Sequence, residues 1–356
     1  MSSYIIAEAG VNHNGSLEMA KELVLVAKNA GADAIKFQTF KAENLVTKSA
    51  IQAAYQVDNL GKVTTQYEML KNLELSFEEF VEIKKYCEEQ KIEFLSTPFD
   101  YVSVDFLLDT LQMDRVKISS GELTNAPFIY YIAKKKKHII LSTGMATIEE
   151  IHKALSFIAY GLAENVDITI EDVNSFYHTK KAKNLLQKYV TILHCTTEYP
   201  APYESVNLNV IQQLKEEFCL NVGLSDHSQG ISVPTAAVAL GAVLIEKHFT
   251  LDKSLEGPDH IASLDPIELK GMVQQIRQVE ISLGTGIKKP TNVEIQNRIP
   301  ARKSLVAGMV IKKGDEFTTA NLTIKRPGSG ISPENYWTYL GKKAEKNYAE
   351  DDLIDE

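Results

Sequence analysis

Residues 17–40 read LEMAKELVLVAKNAGADAIKFQTF and contain one complete helix-to-strand step. Ala20, Leu23, Val24 and Ala27 recur at helical spacing and form one apolar face. Gly31 follows as a helix stop, because glycine enters the left-handed closing conformation without a Cβ clash. The run 34–38 then reads as a strand. Side chains alternate along a strand, so Lys36 and Gln38 share one face and Ile35 and Phe37 share the other. In a closed barrel the apolar pair suits the helix side, which turns Lys36 inward. A buried lysine without a partner is costly or loses its proton, so near the open mouth it reads as a ligand for an anion.

The same step repeats outward in both directions. Strands are expected at 4–8, 34–38, 93–97, 115–118, 138–142, 190–194, 221–224 and 243–247, alternating with helices. Such alternation implies a parallel sheet covered by helices. Ser76 with Glu79 and Thr147 with Glu150 have the spacing of capping boxes. Asp265 before Pro266 gives an N-cap and a proline at the first helical position. Two stretches break the rhythm: 41–72 reads as a polar loop over the mouth, and 163–188 as a surface insertion. The fold class expected is α/β, a (β/α)8 barrel over 1–283. A linker is expected at 284–300, where GTGIKKP stands. A small, irregular or β domain is expected at 301–356.

A chain of 356 residues suits one such barrel plus an appendage. The 38 basic and 47 acidic residues give a net charge of −9, which argues against nucleic acid or an anionic membrane surface as partner. Three cysteines, Cys87, Cys195 and Cys219, form neither a disulfide framework nor a zinc knuckle. The start shows no signal-peptide pattern, and no apolar run reaches the roughly 20 residues of a membrane span. A cytoplasmic location is therefore expected. The basic run 134–137 reads as a helix end.

Polar groups gather at the C-terminal ends of the strands, where barrels of this class carry their active sites. Glu8 ends the first strand, Lys36 and Lys117 lie in the second and fourth, and Ser142 and Thr143 end the fifth. His194 and Thr196 share a face of the sixth, Ser225, Asp226 and His227 follow the seventh, and Glu246 and His248 share a face of the eighth. A lone strand histidine is ordinarily a hydrogen-bonded core residue, but so many ionic groups would make a poor core without a ligand or a metal. His227 and His248 lie on adjacent strands, so their rings can meet; two neutral imidazoles with open positions suit Mn2+, Mg2+ or Zn2+. Asp226 or Glu246 is placed to orient a ligating ring from behind.

These residues sit within IIAEAGVNHNG (5–15), KFQTFKA (36–42), STPFD (96–100), VKISSGE (116–122), ILSTGMAT (140–147), LHCTTEYPAP (193–202), GLSDHS (223–228), IEKHFTLDK (245–253), GPDH (257–260), ARKSLVA (301–307) and KRPGSGIS (325–332). Together, in order and across the chain, they resemble the sialic acid synthase family: bacterial N-acetylneuraminate synthases and their legionaminic and pseudaminic acid relatives. The resemblance implies a TIM barrel followed by an antifreeze-like (SAF) domain, here 301–356, and a domain-swapped homodimer in which Arg326 reaches a partner's sugar site. It implies that His227 and His248 hold the divalent metal, Mn2+ or Mg2+, with no organic cofactor. It implies that Lys36, Thr97, Lys117, Ser120, Ser142 and Ser225 bind phosphoenolpyruvate. Gln38, Glu122, Tyr199, Asp259 and Arg326 would hold an N-acetylated amino sugar, and Glu8 would be catalytic. Thr197 departs from the asparagine that some members use as a phosphoenolpyruvate ligand; threonine is shorter and lacks the amide.

The function implied first is N-acetylneuraminate synthase, a transferase joining phosphoenolpyruvate, N-acetylmannosamine and water into N-acetylneuraminate and phosphate. The alternative is a legionaminic or pseudaminic acid synthase using a 2,4-diacetamido-2,4,6-trideoxyhexose. More distant readings are a Schiff-base aldolase with Lys36 or Lys117 as nucleophile, and a non-catalytic binding protein built around the tail.

Overall fold

The computed structural model describes residues 2–53, 57 and 64–355. It divides into two compact units, Met1–Gly284 and Thr285–Glu356. Part of the loop expected at 41–72 lies outside the described residues. The described part carries the helices Ala42–Leu45 and Gln66–Leu73.

Eight strands form the sheet of the first unit: β1 (Tyr4–Gly10), β2 (Ala34–Thr39), β3 (Glu93–Pro98), β4 (Arg115–Ile118), β5 (His138–Ser142), β6 (Val190–Cys195), β7 (Asn221–Asp226) and β8 (Leu244–His248). They pair in parallel in the order β3-β2-β1-β8-β7-β6-β5-β4, and β3 and β4 lie side by side at the remaining seam. This is the expected (β/α)8 barrel. Each strand is one or two residues from its expected bounds or coincides with them.

The helices start and stop where the sequence signals stood. Ser16 caps Leu17–Ala30, and Gly31 closes it at φ 85° with its N–H on the carbonyls of Ala27 and Lys28. Ala20, Leu23, Val24 and Ala27 are buried on that helix. Capping boxes at Ser76/Glu79, Thr147/Glu150 and Asp265/Glu268 open Phe77–Gln90, Ile148–Leu162 and Pro266–Ser282. The insertion at 163–188 folds as two helices, Ile170–Tyr177 and Lys180–Tyr189.

The barrel interior is layered. Its lower level is an apolar cluster of Ile6, Ala34, Leu95, Ile140, Leu193 and Leu244. Two residues further along each of those strands, on the same face, come Glu8, Lys36, Thr97, Ser142, Cys195 and Glu246. The apolar floor excludes water below, so the polar groups face only the mouth.

The second unit has its own core of Leu305, Ala307, Ile311, Phe317, Leu322, Ala344, Tyr348 and Ile354. Strands β9 (Ser304–Ala307) and β10 (Leu322–Lys325) pair antiparallel. The stretch expected as a linker carries a helix, Asn292–Ala301, opened by a Thr291/Glu294 capping box. That spacing is a helix-start signature, and it outweighs the turn-rich GTGIKKP only after residue 290.

Candidate functional site

Strand register sets the site. Glu8 on β1 lies opposite Lys36 on β2 and His248 on β8. Ser225 on β7 lies opposite Glu246 on β8. All of these side chains are buried.

At the centre is a four-charge cluster. Lys36 Nζ lies 2.7 Å from Glu8 Oε2 and 3.6 Å from Glu246 Oε2. Lys117 Nζ lies 3.8 Å from Glu246 Oε1. Lys36 also donates to Thr97 Oγ1 at 2.9 Å, and Ser225 Oγ donates to Glu246 Oε1 at 2.8 Å. The buried lysines thus have carboxylate partners in the chain itself. Their ionic states divide unevenly. Burial pushes Glu8 up to about 7, with Lys36 opposing the rise and Glu246 adding to it. Burial also works against the charge on Glu246, but Lys117, Lys36 and the Ser225 hydroxyl hold it down at about 2. For Lys36 burial is overcome by Glu246 and Glu8, which raise its pKa. Lys117 has weaker company, and burial lowers it. The arrangement keeps one carboxylate firmly ionised and a second poised near neutrality.

Beside this cluster sits a small hydroxyl-lined cradle. Ser120 Oγ accepts from the Gly144 N–H at 3.0 Å. A Cβ on Gly144 would lie 2.3 Å from Thr197 Oγ1, 2.8 Å from Ser120 Oγ and 3.3 Å from Cys195 Sγ. Any larger residue there would have to push those side chains aside. The oxygens Ser142 Oγ and Thr197 Oγ1 are buried without a hydrogen-bond partner. Buried polar atoms are ordinarily satisfied, so two orphans beside a lysine pair mark a place built for ligand oxygens.

The two histidines meet as expected. The ring centroids of His227 and His248 are 5.5 Å apart, and the Tyr199 ring lies 4.0 Å from His227 and 5.5 Å from His248. His227 Nδ1 lies 2.7 Å from the Thr196 carbonyl oxygen, which can only accept. The proton is therefore on Nδ1, and the Nε2 lone pair turns towards Ser225 Oγ at 3.5 Å. Burial opposes protonation of His227, but the Cys195 sulfur, the Thr196 carbonyl and Asp226 together raise its pKa. His248 Nδ1 is buried without a hydrogen-bond partner. Burial, with Lys36 and with His227 whenever that ring is protonated, drives the pKa of His248 well below the ordinary histidine value. An available imidazole nitrogen on each ring fits a divalent cation. Among the described residues no group of three or more His, Cys, Asp or Glu is arranged to hold a metal. Any further ligands of such an ion would be water and substrate oxygens.

The expected sugar ligands fall into separate positions. A Cβ on Gly10 would lie 3.3 Å from the His248 ring and 3.4 Å from Gln38 Nε2, so Gln38 and His248 flank one glycine. Asp259 is buried, and burial raises its carboxyl to about 6 against the pull of His227. Glu122 is half-buried and accepts from Asn125 Nδ2 at 2.7 Å. Arg326 belongs to the other unit, where its Nε donates to the Ala301 carbonyl.

Three expectations are corrected. His194 does not face the site. Leu193 and Cys195 take the inward positions of β6, and His194 Nε2 meets the Val206 carbonyl at 2.5 Å on the outer side. Asp226 hydrogen-bonds to neither ring; its carboxylate is engaged by Lys247 and the Ser228 N–H. Glu246 serves the lysines and Ser225. The group behind the His227 ring is instead the Thr196 carbonyl, which residue-type reading cannot single out because every residue has one.

The family model described as NeuB family matches residues 23–288. The chain is 49% identical to an N,N'-diacetyllegionaminic acid synthase of Campylobacter jejuni over 352 residues, which cover 99% of this chain and 98% of that protein. It is 47% identical to an N,N'-diacetyllegionaminic acid synthase of Legionella pneumophila, covering 98% and 92%. Among solved structures it is similar to an N-acetylneuraminic acid synthetase from Leptospira borgpetersenii in complex with citrate. That match has a TM-score of 0.66, 30% identity and coverage of 83% of this chain and 90% of that one.

Proposed function

The chain belongs to the NeuB family of sialic acid synthases, and from that premise we propose that it is a nonulosonic acid synthase. It joins phosphoenolpyruvate to a 2,4-diacetamido-2,4,6-trideoxyhexose, giving a diacetyllegionaminic-type acid and phosphate. The observation that carries the chemistry is the buried cluster of Lys36, Lys117, Glu8 and Glu246 beside the orphaned Ser142 and Thr197 hydroxyls. The observation that carries the sugar is the similarity to two diacetyllegionaminic acid synthases at 49% and 47% identity. It favours that acceptor over the N-acetylmannosamine implied first by the motifs.

In this reading Lys36, Lys117, Thr97, Ser120, Ser142 and Ser225, with the orphaned Thr197 hydroxyl beside them, hold phosphoenolpyruvate by charge and hydrogen bonds. Gln38, Glu122, Tyr199 and Asp259 hold the open-chain sugar, and Arg326 of a second subunit completes that site in a domain-swapped homodimer. His227 and His248 hold a divalent ion, Mn2+ or Mg2+, which when bound supplies Lewis acidity at the sugar C1 oxygen. C3 of phosphoenolpyruvate bonds to sugar C1, and positive charge develops at C2. Glu8, ionised, faces that charge and steadies the water that adds to C2. The added water gives up one proton, the sugar C1 oxygen takes one up to become a hydroxyl, and the bond between C2 and the phosphate-bridging oxygen breaks; the C2 hydroxyl proton passes to the leaving phosphate and C2 becomes the ketone.

A Schiff-base aldolase would need a neutral lysine. Lys36 is held charged by two carboxylates, so of the two candidate nucleophiles it is Lys117 that has the lowered pKa the route requires. The test is phosphate release from phosphoenolpyruvate with each sugar, with and without chelator, alongside borohydride trapping. Release that prefers the diacetamido sugar and stops with chelator is expected. Preference for N-acetylmannosamine overturns the acceptor, and a trapped pyruvate adduct that ignores chelator overturns the reaction.

A further inference from the structure

Asp226 and Lys247 form a buried ion pair in the barrel wall that the chemistry above does not use. Both are almost fully buried, at 2% and 1% exposure, on the outer face of β7 and β8. They are register partners, with Lys247 Nζ 2.5 Å from Asp226 Oδ2. Asp226 Oδ1 accepts the Ser228 N–H at 3.0 Å, and Lys247 Nζ also donates to the Ser228 carbonyl. The pair therefore grips the chain on both sides of His227, at residues 226 and 228. Lys247 itself immediately precedes His248.

A buried ion pair contributes little net stability compared with an apolar pair of the same shape, so stability alone does not account for it. Its directionality does something an apolar pair cannot. It fixes the turn that carries one imidazole and ties it to Lys247, the residue before the other. We propose that Asp226 and Lys247 are positioning residues that set the separation and orientation of the His227 and His248 rings. They touch neither ring; they hold the backbone on either side of His227, and their charges also reach the rings, Asp226 raising the pKa of His227 and Lys247 lowering that of His248. Nearby charges on the same outer side, Glu268 and Lys253, belong to an ion pair of their own and leave this one intact. The inference rests on the metal role given to the two histidines, and its test separates the two.

The test uses the full-length chain and two variants. Lys247→Met leaves Asp226 buried and unpaired and is the variant at risk of failing to fold. Asp226→Asn/Lys247→Met removes both charges and keeps the volume. The first readout is Mn2+ titrated into metal-free protein, with free Mn2+ followed by electron paramagnetic resonance. The double variant is expected to bind Mn2+ about 10–100-fold more weakly, while its phosphoenolpyruvate affinity without metal stays within about twofold. The second readout is the 15N spectrum of selectively labelled histidines in the metal-free protein. The parent is expected to show His227 in the Nδ1–H form, and the double variant to show exchange between forms. Mn2+ affinity and a His227 spectrum both unchanged in the folded double variant overturn the proposal. If the parent binds no Mn2+, the metal reading fails, and the His227 spectrum alone decides the positioning role.

Discussion

Replacing Glu8 with Gln isolates the ionic cost of the site. Glu8 is wholly buried, and its pKa rises from 4.5 to about 7. A shift of that size corresponds to about 3 kcal/mol at roughly 1.4 kcal/mol per unit. The folded protein binds the proton more tightly than the unfolded chain. Glu8 therefore contributes its full stability below pH 4.5 and loses it as pH rises towards about 7. Gln has the same shape and no charge to desolvate. Relative to the parent, Glu8→Gln is expected to gain about 3 kcal/mol between pH 4.5 and pH 8. The gain is a change with pH, so any constant packing difference drops out. Urea unfolding at several pH values measures it. Turnover is expected to fall on the order of a hundred- to thousandfold, with substrate binding retained. A stability difference that does not change between pH 4.5 and pH 8 would refute the reasoning, because Glu8 would then titrate alike in both states.

Two further substitutions probe the cradle. Ser142→Ala removes a buried hydroxyl with no partner; the ligand-free protein should be as stable as the parent or up to about 1 kcal/mol more so, while KM for phosphoenolpyruvate rises about tenfold. Thermal unfolding and steady-state kinetics check it, and an unchanged KM takes Ser142 out of the site. Gly144→Ala puts a methyl 2.3 Å from Thr197 Oγ1 and should weaken phosphoenolpyruvate binding about tenfold or more by calorimetry. Adding Thr197→Ala should recover part of that loss. Full affinity in the single variant means the cradle is not where the ligand sits.

Most of the barrel was legible because each strand–helix step carries its own punctuation. Gly31, the Thr147/Glu150 box and the Asp265–Pro266 pair behave in the fold as their spacing implies. What failed was the phase of β6. ILHCT reads with His194 and Thr196 as the polar face, but the lower barrel is apolar and takes Leu193 inward. The rule that charge marks the inner face holds only at the mouth. Asp226 and Lys247 broke the same rule from the other side, as charges that satisfy each other behind the sheet. The Thr196 carbonyl and the space at Gly144 left no trace in residue type, since one is backbone and the other an absence of side chain. The carboxylate partners of Lys36 were visible as residues, but their pairing needed the register of β1, β2 and β8.

The most direct measurement is a crystal structure of the protein soaked with phosphoenolpyruvate and Mn2+. The account predicts the phosphate and carboxylate oxygens within hydrogen-bond reach of Lys36, Lys117, Ser142 and Thr197, and the ion between His227 and His248. Phosphoenolpyruvate bound elsewhere, with Lys36 and Lys117 still paired only to Glu8 and Glu246, would contradict it.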